Sequence, residues 1–317
     1  TLFIRKNSLK SIYYLLKCKY MFVSQSAQAD LCSFNVYRNA IITHCWHGVP
    51  VKKIGLDMPG YKLVRNQNSS LIKKIRKMLG YNIKYSYFVS SSPKNDYIFQ
   101  RAFKHIGASK NNILHSGYPR NDMFFNVKQN EVNKIKLKYS KLLEFSMDKK
   151  IILYLPTYRR KQPKVESICN RDEAEINMLS NILKKHNAII IEKNHFQTYV
   201  KMSGCQDKTF SDLFIKLTKD HKVNIQEILL FTDILISDYS GAFFDFCLLD
   251  RPIIHYAYDY EHYKNVDSGL YYDIEEFAAG KVATTFEEIV AELDNLLSGV
   301  DNYSEKRKKV RKEFMTY

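Results

Sequence analysis

Short apolar runs alternate with helix-patterned segments along this chain, and that alternation is the strongest constraint on its fold. YMFVS, AIITHCWHG, YSYFVSS and KKIILYLPTYR each hold a brief strand-like run that breaks at a polar turn, Gly or Pro. SLKSIYYLLKCK, PKNDYIFQRAFKHI and FEEIVAELDNLLSG show helical apolar spacing instead. Strands alternating with helices imply parallel sheets joined by βαβ crossovers. The charged stretch 126–149 reads as a helical bridge between two such series. The expectation is two Rossmann-like domains facing an interdomain cleft: 1–145, including the bridging helix, and 146–317. Ligands of open α/β sheets bind beyond the carboxyl ends of the strands, so the turns that follow strands are where function is expected.

Composition narrows the class. With 317 residues, 45% of them hydrophobic, the chain can bury a core in each of two domains. Its net charge of +16 attracts polyanions: nucleic acid, an anionic membrane face, or a phosphate-rich substrate. Charge alone does not choose among them. The 23 tyrosines and 19 phenylalanines suit stacking on bases or sugars and anchoring at a membrane interface, and equally suit a biased genome. The six cysteines, Cys18, Cys32, Cys45, Cys169, Cys205 and Cys247, have no C-x-x-C spacing. Neither a zinc site nor a disulfide framework is indicated, and a cytoplasmic setting is expected. No apolar run approaches the roughly 20 residues that span a bilayer.

Three turns carry candidate chemistry. In HCWHGVPVKKIGLD, Gly48 permits a tight turn that projects His47, whose imidazole suits proton abstraction near neutral pH. Lys52 and Lys53 follow and can hold phosphate; alternatively they are solvated lysines beside a structural histidine. In SDYSGAFFDF, Asp238 ends a strand, Ser240 and Gly241 open a helix that can receive a phosphate, and Asp245 lies on that helix. The bland alternative makes Ser240 an ordinary N-cap. In IIIEKNHF, Lys193 and His195 stand past a buried strand and can face a diphosphate, or form a strand-end polar cluster. LYLPTYR adds Thr157 and Arg159, the latter suited to a forked phosphate contact. HSGYPRND places Arg120 in an exposed turn. No phosphate loop, dinucleotide fingerprint or nucleophile elbow occurs, which disfavours P-loop hydrolysis, hydride transfer and serine hydrolysis. No nucleic-acid-binding motif appears either.

WHGVPVKKIGLD, SGYPRNDMFF, ILYLPTYR, ISDYSGAFFDF, RPIIHYAYDYEHY and GLYYDI occur in that order. Together they resemble the CDP-glycerol glycerophosphotransferases, bacterial enzymes of teichoic acid and capsule synthesis. The resemblance runs from about residue 6 to the end. It implies a GT-B fold, with the donor bound mainly by the C-terminal domain. It also implies that His47 is the catalytic base and His195 a second catalytic histidine. Two positions depart from the family pattern: Lys193 stands where Arg is usual, and Gly241 replaces a serine.

The resemblance therefore implies transfer of polyol phosphate from CDP-glycerol or CDP-ribitol to a hydroxyl of a growing polymer, with release of CMP. Thr157, Arg159, Lys193, Asp238, Ser240, Gly241 and Asp245 are the expected donor-binding set; Lys52, Lys53 and Arg120 the acceptor and phosphate set. No metal and no tightly bound cofactor are expected. The expected partners are an anionic glycan or polyol-phosphate acceptor and the inner face of an anionic membrane, touched by LIKKIRKMLGYNIKYSYF, and not nucleic acid. The alternative is a GT-B glycosyltransferase that uses a nucleotide sugar.

Overall fold

Ten strands form two wholly parallel sheets in the computed structural model, which describes residues 3–32, 39–59, 83–157, 159, 166–168, 171–193, 212–217, 221–267 and 269–317. Residues 1–119 with 313–317 make one unit, and 120–312 the other.

In the first unit, β1 (Tyr20–Val23), β2 (Ile41–His44), β3 (Tyr87–Ser90) and β4 (Ile113–His115) lie in sequential order. β3 is buried over its last three residues, while the edge strand β1 alternates, burying Met21 and Val23 and exposing Tyr20 and Phe22. Helix Pro93–Ala102 starts where it does for a local reason. Ser92 accepts a hydrogen bond from the Asn95 amide, and Pro93 takes the first position, where no amide hydrogen is needed.

The second unit has β5 (Lys150–Leu155), β6 (Ala188–Glu192), β7 (Phe214–Lys216), β8 (Ile234–Ser237), β9 (Ile253–Tyr256) and β10 (Lys281–Ala283). Their spatial order is β10-β9-β8-β5-β6-β7. This is the dinucleotide-fold order, in which the chain runs outward from β5 to one edge, then returns to β8 and runs to the other. The reversal leaves a crevice above the carboxyl ends of β5 and β8. β6, β8 and β9 are buried at every position, as continuous apolar runs demand when both faces of a sheet are covered.

The helix expected as a bridge, Gln129–Leu143, packs inside this second unit. Its Val132, Tyr139 and Leu143 are buried, the Tyr139 ring lies 5.6 Å from Phe231, and the Tyr139 hydroxyl donates to Glu227 at 2.8 Å. Burying that apolar stripe requires a partner, and helix Ile225–Phe231 supplies it.

Gly280 shows how tightly β9 is covered. A Cβ there would stand 1.7 Å from the Ile253 carbonyl oxygen. Gly280→Ala must push backbone apart, with an expected loss of about 3 kcal/mol, the upper end for overpacking. A urea midpoint unchanged from the parent chain would show that β9 has slack.

Candidate active site

In the first unit, the turn after β2 is built to present His47. Trp46 takes a left-handed conformation at φ 57° and Gly48 follows at φ 131°, a pair that bends the chain at His47. His47 is exposed, and its ring lies 4.1 Å from that of Trp46. Its Nδ1 is 3.1 Å from the Ser24 carbonyl oxygen. A carbonyl only accepts, so Nδ1 carries the proton and Nε2 is the basic nitrogen. Lys52 and Lys53 are half-buried just downstream.

The rest of that motif is packing. Gly55 sits at φ 53°, and a Cβ there would come within 2.3 Å of the Ala102 carbonyl oxygen. Asp57 accepts from Arg101 at 2.9 Å. Both tie the turn Gly55–Asp57 to helix Pro93–Ala102. Gly117 serves similarly: at φ 68° it donates to Ser90 at 3.0 Å, where a Cβ would meet the Tyr317 carbonyl oxygen at 2.8 Å.

In the second unit, Thr157, Lys193 and the turn 238–241 stand at the carboxyl ends of β5, β6 and β8, which are neighbours at the reversal. The Asp238 carboxylate, 1% exposed, accepts from the Thr157 amide at 2.9 Å, from the Thr157 hydroxyl and from the Tyr239 amide at 2.6 Å. It thereby clamps the two turns of the crevice together. Ser240 is half-buried, its hydroxyl oxygen accepting from Ala242 at 3.2 Å, and Gly241 leads into helix Ala242–Cys247 without a side-chain cap. Lys193 continues β6 by donating its amide to Tyr154 at 3.0 Å, and burial pulls its amine below the usual lysine range. His195 lies outside the described residues, as does most of LIKKIRKMLGYNIKYSYF.

Arg159 and Arg120 are both engaged by carboxylates. Arg159 was expected to fork onto a phosphate, but its fork is taken: Nε and Nη2 donate to Asp259 at 2.7 and 3.0 Å, and Nη1 pairs with Asp238 at 2.8 Å. It is 2% exposed, with Tyr263 and Tyr239 under the guanidinium at 4.6 and 5.0 Å. Burial alone would lower its pKa; the two carboxylates outweigh that and raise it. Arg120 likewise gives Nε and Nη2 to Asp245 at 2.9 and 3.0 Å. Asn121 and Gln226 also donate to Asp245, at 2.8 and 3.1 Å, so that carboxylate ties Arg120 and Asn121 to helix Ala242–Cys247. The sequence reading assigned no role to Asp259, although it lies in RPIIHYAYDYEHY, one of the motifs that carried the resemblance.

His255, fully buried on β9, shows the same economy. Its Nδ1 donates to the Asp238 carbonyl at 3.2 Å, and its Nε2 accepts from the Ala279 amide at 3.0 Å. A second ring proton would face an N–H, and burial pushes its pKa down to about 4 from the usual 6.5. Above about 6.5 the ring is neutral whether the chain is folded or unfolded, and stability is whole. As pH falls from 6.5 to 4, only the unfolded chain takes the proton, so stability should fall by roughly 3 kcal/mol. Urea melts between pH 7 and 4 check this. In His255→Gln the part of the slope owed to this ring should vanish; an unchanged slope counts against it.

The whole chain, residues 1–317, matches the sequence family described as CDP-glycerol:poly(glycerophosphate) glycerophosphotransferase. It is 32% identical over 293 residues to the teichoic acid poly(glycerol phosphate) polymerase of Bacillus spizizenii, a match covering 91% of this chain and 68% of that one. It is 31% identical to the teichoic acid glycerol-phosphate transferase of Staphylococcus aureus, covering 83% of this chain and 64% of that one. The solved wall teichoic acid polymerase TagF aligns with a TM-score of 0.68 at 27% identity, covering 88% of this chain and 64% of that one. The chain thus spans about two thirds of the length of these relatives. Its fold is GT-B-like, with two Rossmann-like units.

Proposed function

The chain belongs to the CDP-glycerol glycerophosphotransferase family, and from that premise we propose that it transfers polyol phosphate from a CDP-polyol to a hydroxyl at the end of a growing polyol-phosphate polymer, releasing CMP. The observation that carries the reading is the family match along the whole chain, together with the presentation of His47 on a turn fixed by Trp46 and Gly48. Both relatives above are named for glycerol phosphate, which favours CDP-glycerol as the donor.

In the proposed step, His47 Nε2 takes the proton of the acceptor hydroxyl as that oxygen attacks the distal phosphorus of the donor. The bond from that phosphorus to the bridging oxygen breaks, and CMP leaves with the bond's electron pair. The Ser24 carbonyl, which accepts from Nδ1, holds the tautomer this requires and stabilises the imidazolium. Thr157, Lys193, Ser240 and Gly241, on adjoining strand ends, form the donor site; His195 stays in the proposal as a second catalytic histidine. Asp238, Arg159, Asp245 and Arg120 act by positioning, since their charged groups already engage one another and neighbouring side chains. The transfer uses no tightly bound cofactor.

Work at an anionic membrane face is part of the proposal. Helix Leu9–Lys17 supports it, with Leu9, Tyr13 and Leu16 exposed near Lys10 and Lys17. Co-sedimentation with anionic but not neutral liposomes is the corresponding check. Among the described residues no helix is long and apolar enough to cross a bilayer.

A donor screen tests the main reading. The purified chain is incubated with a glycerol-phosphate-primed acceptor and CDP-glycerol, CDP-ribitol or a UDP-sugar. CMP release from a CDP-polyol is the expected result. Release of UDP alone would establish a nucleotide-sugar glycosyltransferase instead.

A further inference from the structure

Behind the His47 turn, within the first unit, lies a cavity of about 280 Å³. Trp46, Tyr85 and Phe103 supply aromatic walls, and His44, Gln25 and Gln28 add polar groups. His44 is 2% exposed. Its Nε2 lies 3.0 Å from the Gln25 carbonyl oxygen, so Nε2 carries the hydrogen and Nδ1 is an acceptor. That Nδ1 is buried and has no hydrogen-bond partner in the structure. Protonation does not relieve it, because burial pushes the ring's pKa down to about 4. A buried acceptor left unmade is costly, and an occupant that donates one hydrogen bond removes that cost.

The lining fixes the kind of occupant. It contains no carboxylate, ammonium or guanidinium group; of its two imidazoles, burial keeps that of His44 neutral and His105 is the other, so no permanent charge there compensates a charged ligand. Flat aromatic walls with a few placed polar atoms suit a body that is apolar on its faces and hydroxylated at its edge. The volume lies just below the range of drug-sized pockets, about 300–1,000 Å³, and suits one ring, not a chain. We propose that this cavity binds a single uncharged sugar ring, one of whose hydroxyls donates to His44 Nδ1. Trp46 also carries the ring of His47 at 4.1 Å, so an occupied cavity would brace the side chain against which His47 rests. If the transfer reading holds, the ring belongs to the acceptor. Binding itself is measured without turnover and stands or falls separately.

Trp46 is the only tryptophan in the chain, so its emission reports on this cavity and on the His47 ring beside it, and the His44 resonance assigns a change to the cavity. The full chain is titrated with N-acetylglucosamine, methyl glucoside and glycerol, and the 15N resonance of His44 Nδ1 is followed in parallel. The expected result is a saturable emission change with a pyranose, displacement of the Nδ1 resonance, and no saturable response to glycerol. His44→Phe, which keeps a ring but removes the acceptor, should weaken binding about tenfold, the ratio for one hydrogen bond of about 1.4 kcal/mol. Should that variant not fold, Gln28→Phe narrows the cavity from an exposed position and should weaken binding by at least as much. No saturable response to either sugar overturns the proposal. So does an equal response to glycerol, an Nδ1 resonance that stays still at saturation because water serves it, or undiminished binding in folded Gln28→Phe.

Discussion

His47→Ala should all but abolish CMP release from CDP-glycerol in the presence of acceptor, while the chain stays folded and still binds the donor. His47 is a surface side chain whose conformation is set by the backbone of Trp46 and Gly48, so truncation removes little buried contact. Thermal melts should move by no more than the few tenths of a kcal/mol typical of surface changes. The chemical loss is far larger, because a positioned general base contributes about 10²–10⁴ in rate. His47→Gln keeps a polar group of similar reach and should be nearly as inactive, since an amide takes no proton at neutral pH. In the parent chain, kcat/KM should fall on the acid side as the imidazole is protonated. In either variant the residual rate should lose that limb. A variant that keeps a tenth of parental turnover with the limb intact would mean the proton goes elsewhere.

The exposed position of His47 is legible in sequence because it is written locally, in a strand, a glycine and a histidine on the turn between them. The strands of the second sheet were legible for a related reason. β6 and β8 are buried on both faces, and such strands must be apolar without interruption. The carboxylate partners of the arginines are not legible, because sequence gives the charge of a side chain and not what it meets. Arg159 finds Asp259 a hundred positions away, and Arg120 finds Asp245 at a separation of 125. Each arginine lies beside a strand-end turn, where a phosphate contact is reasonable until the carboxylate arrives. Gly55 was invisible for the same cause, since the carbonyl that forbids a side chain there belongs to Ala102. His44 was read only as part of a strand; its significance depends on a cavity that forms when Gln25, Tyr85 and Phe103 come together.

Arg159→Met should be among the most destabilising single changes in the second unit, although methionine fills much of the same volume. The guanidinium is enclosed, 2% exposed, and pairs with two carboxylates that are themselves nearly inaccessible. Removing the cation leaves Asp238 and Asp259 buried and facing each other uncompensated, a loss of about 3–5 kcal/mol for a broken buried pair. In a unit of this size each kcal/mol shifts the melting temperature by roughly 2–4 °C, so a fall of about 10 °C is expected. Arg159→Lys should recover only part of it, because one ammonium cannot reproduce the fork to Asp259 and the contact with Asp238 together. The double change Arg159→Met with Asp259→Asn should recover more than the two single losses predict, since it withdraws one of the stranded charges. Function separates this role from that of a donor ligand. In folded Arg159→Lys at low temperature, Thr157 and Tyr239 still hold Asp238, so CDP affinity should drop only slightly. A hundredfold loss of CDP affinity with an unaltered melting temperature would overturn the positioning role and return Arg159 to the phosphate.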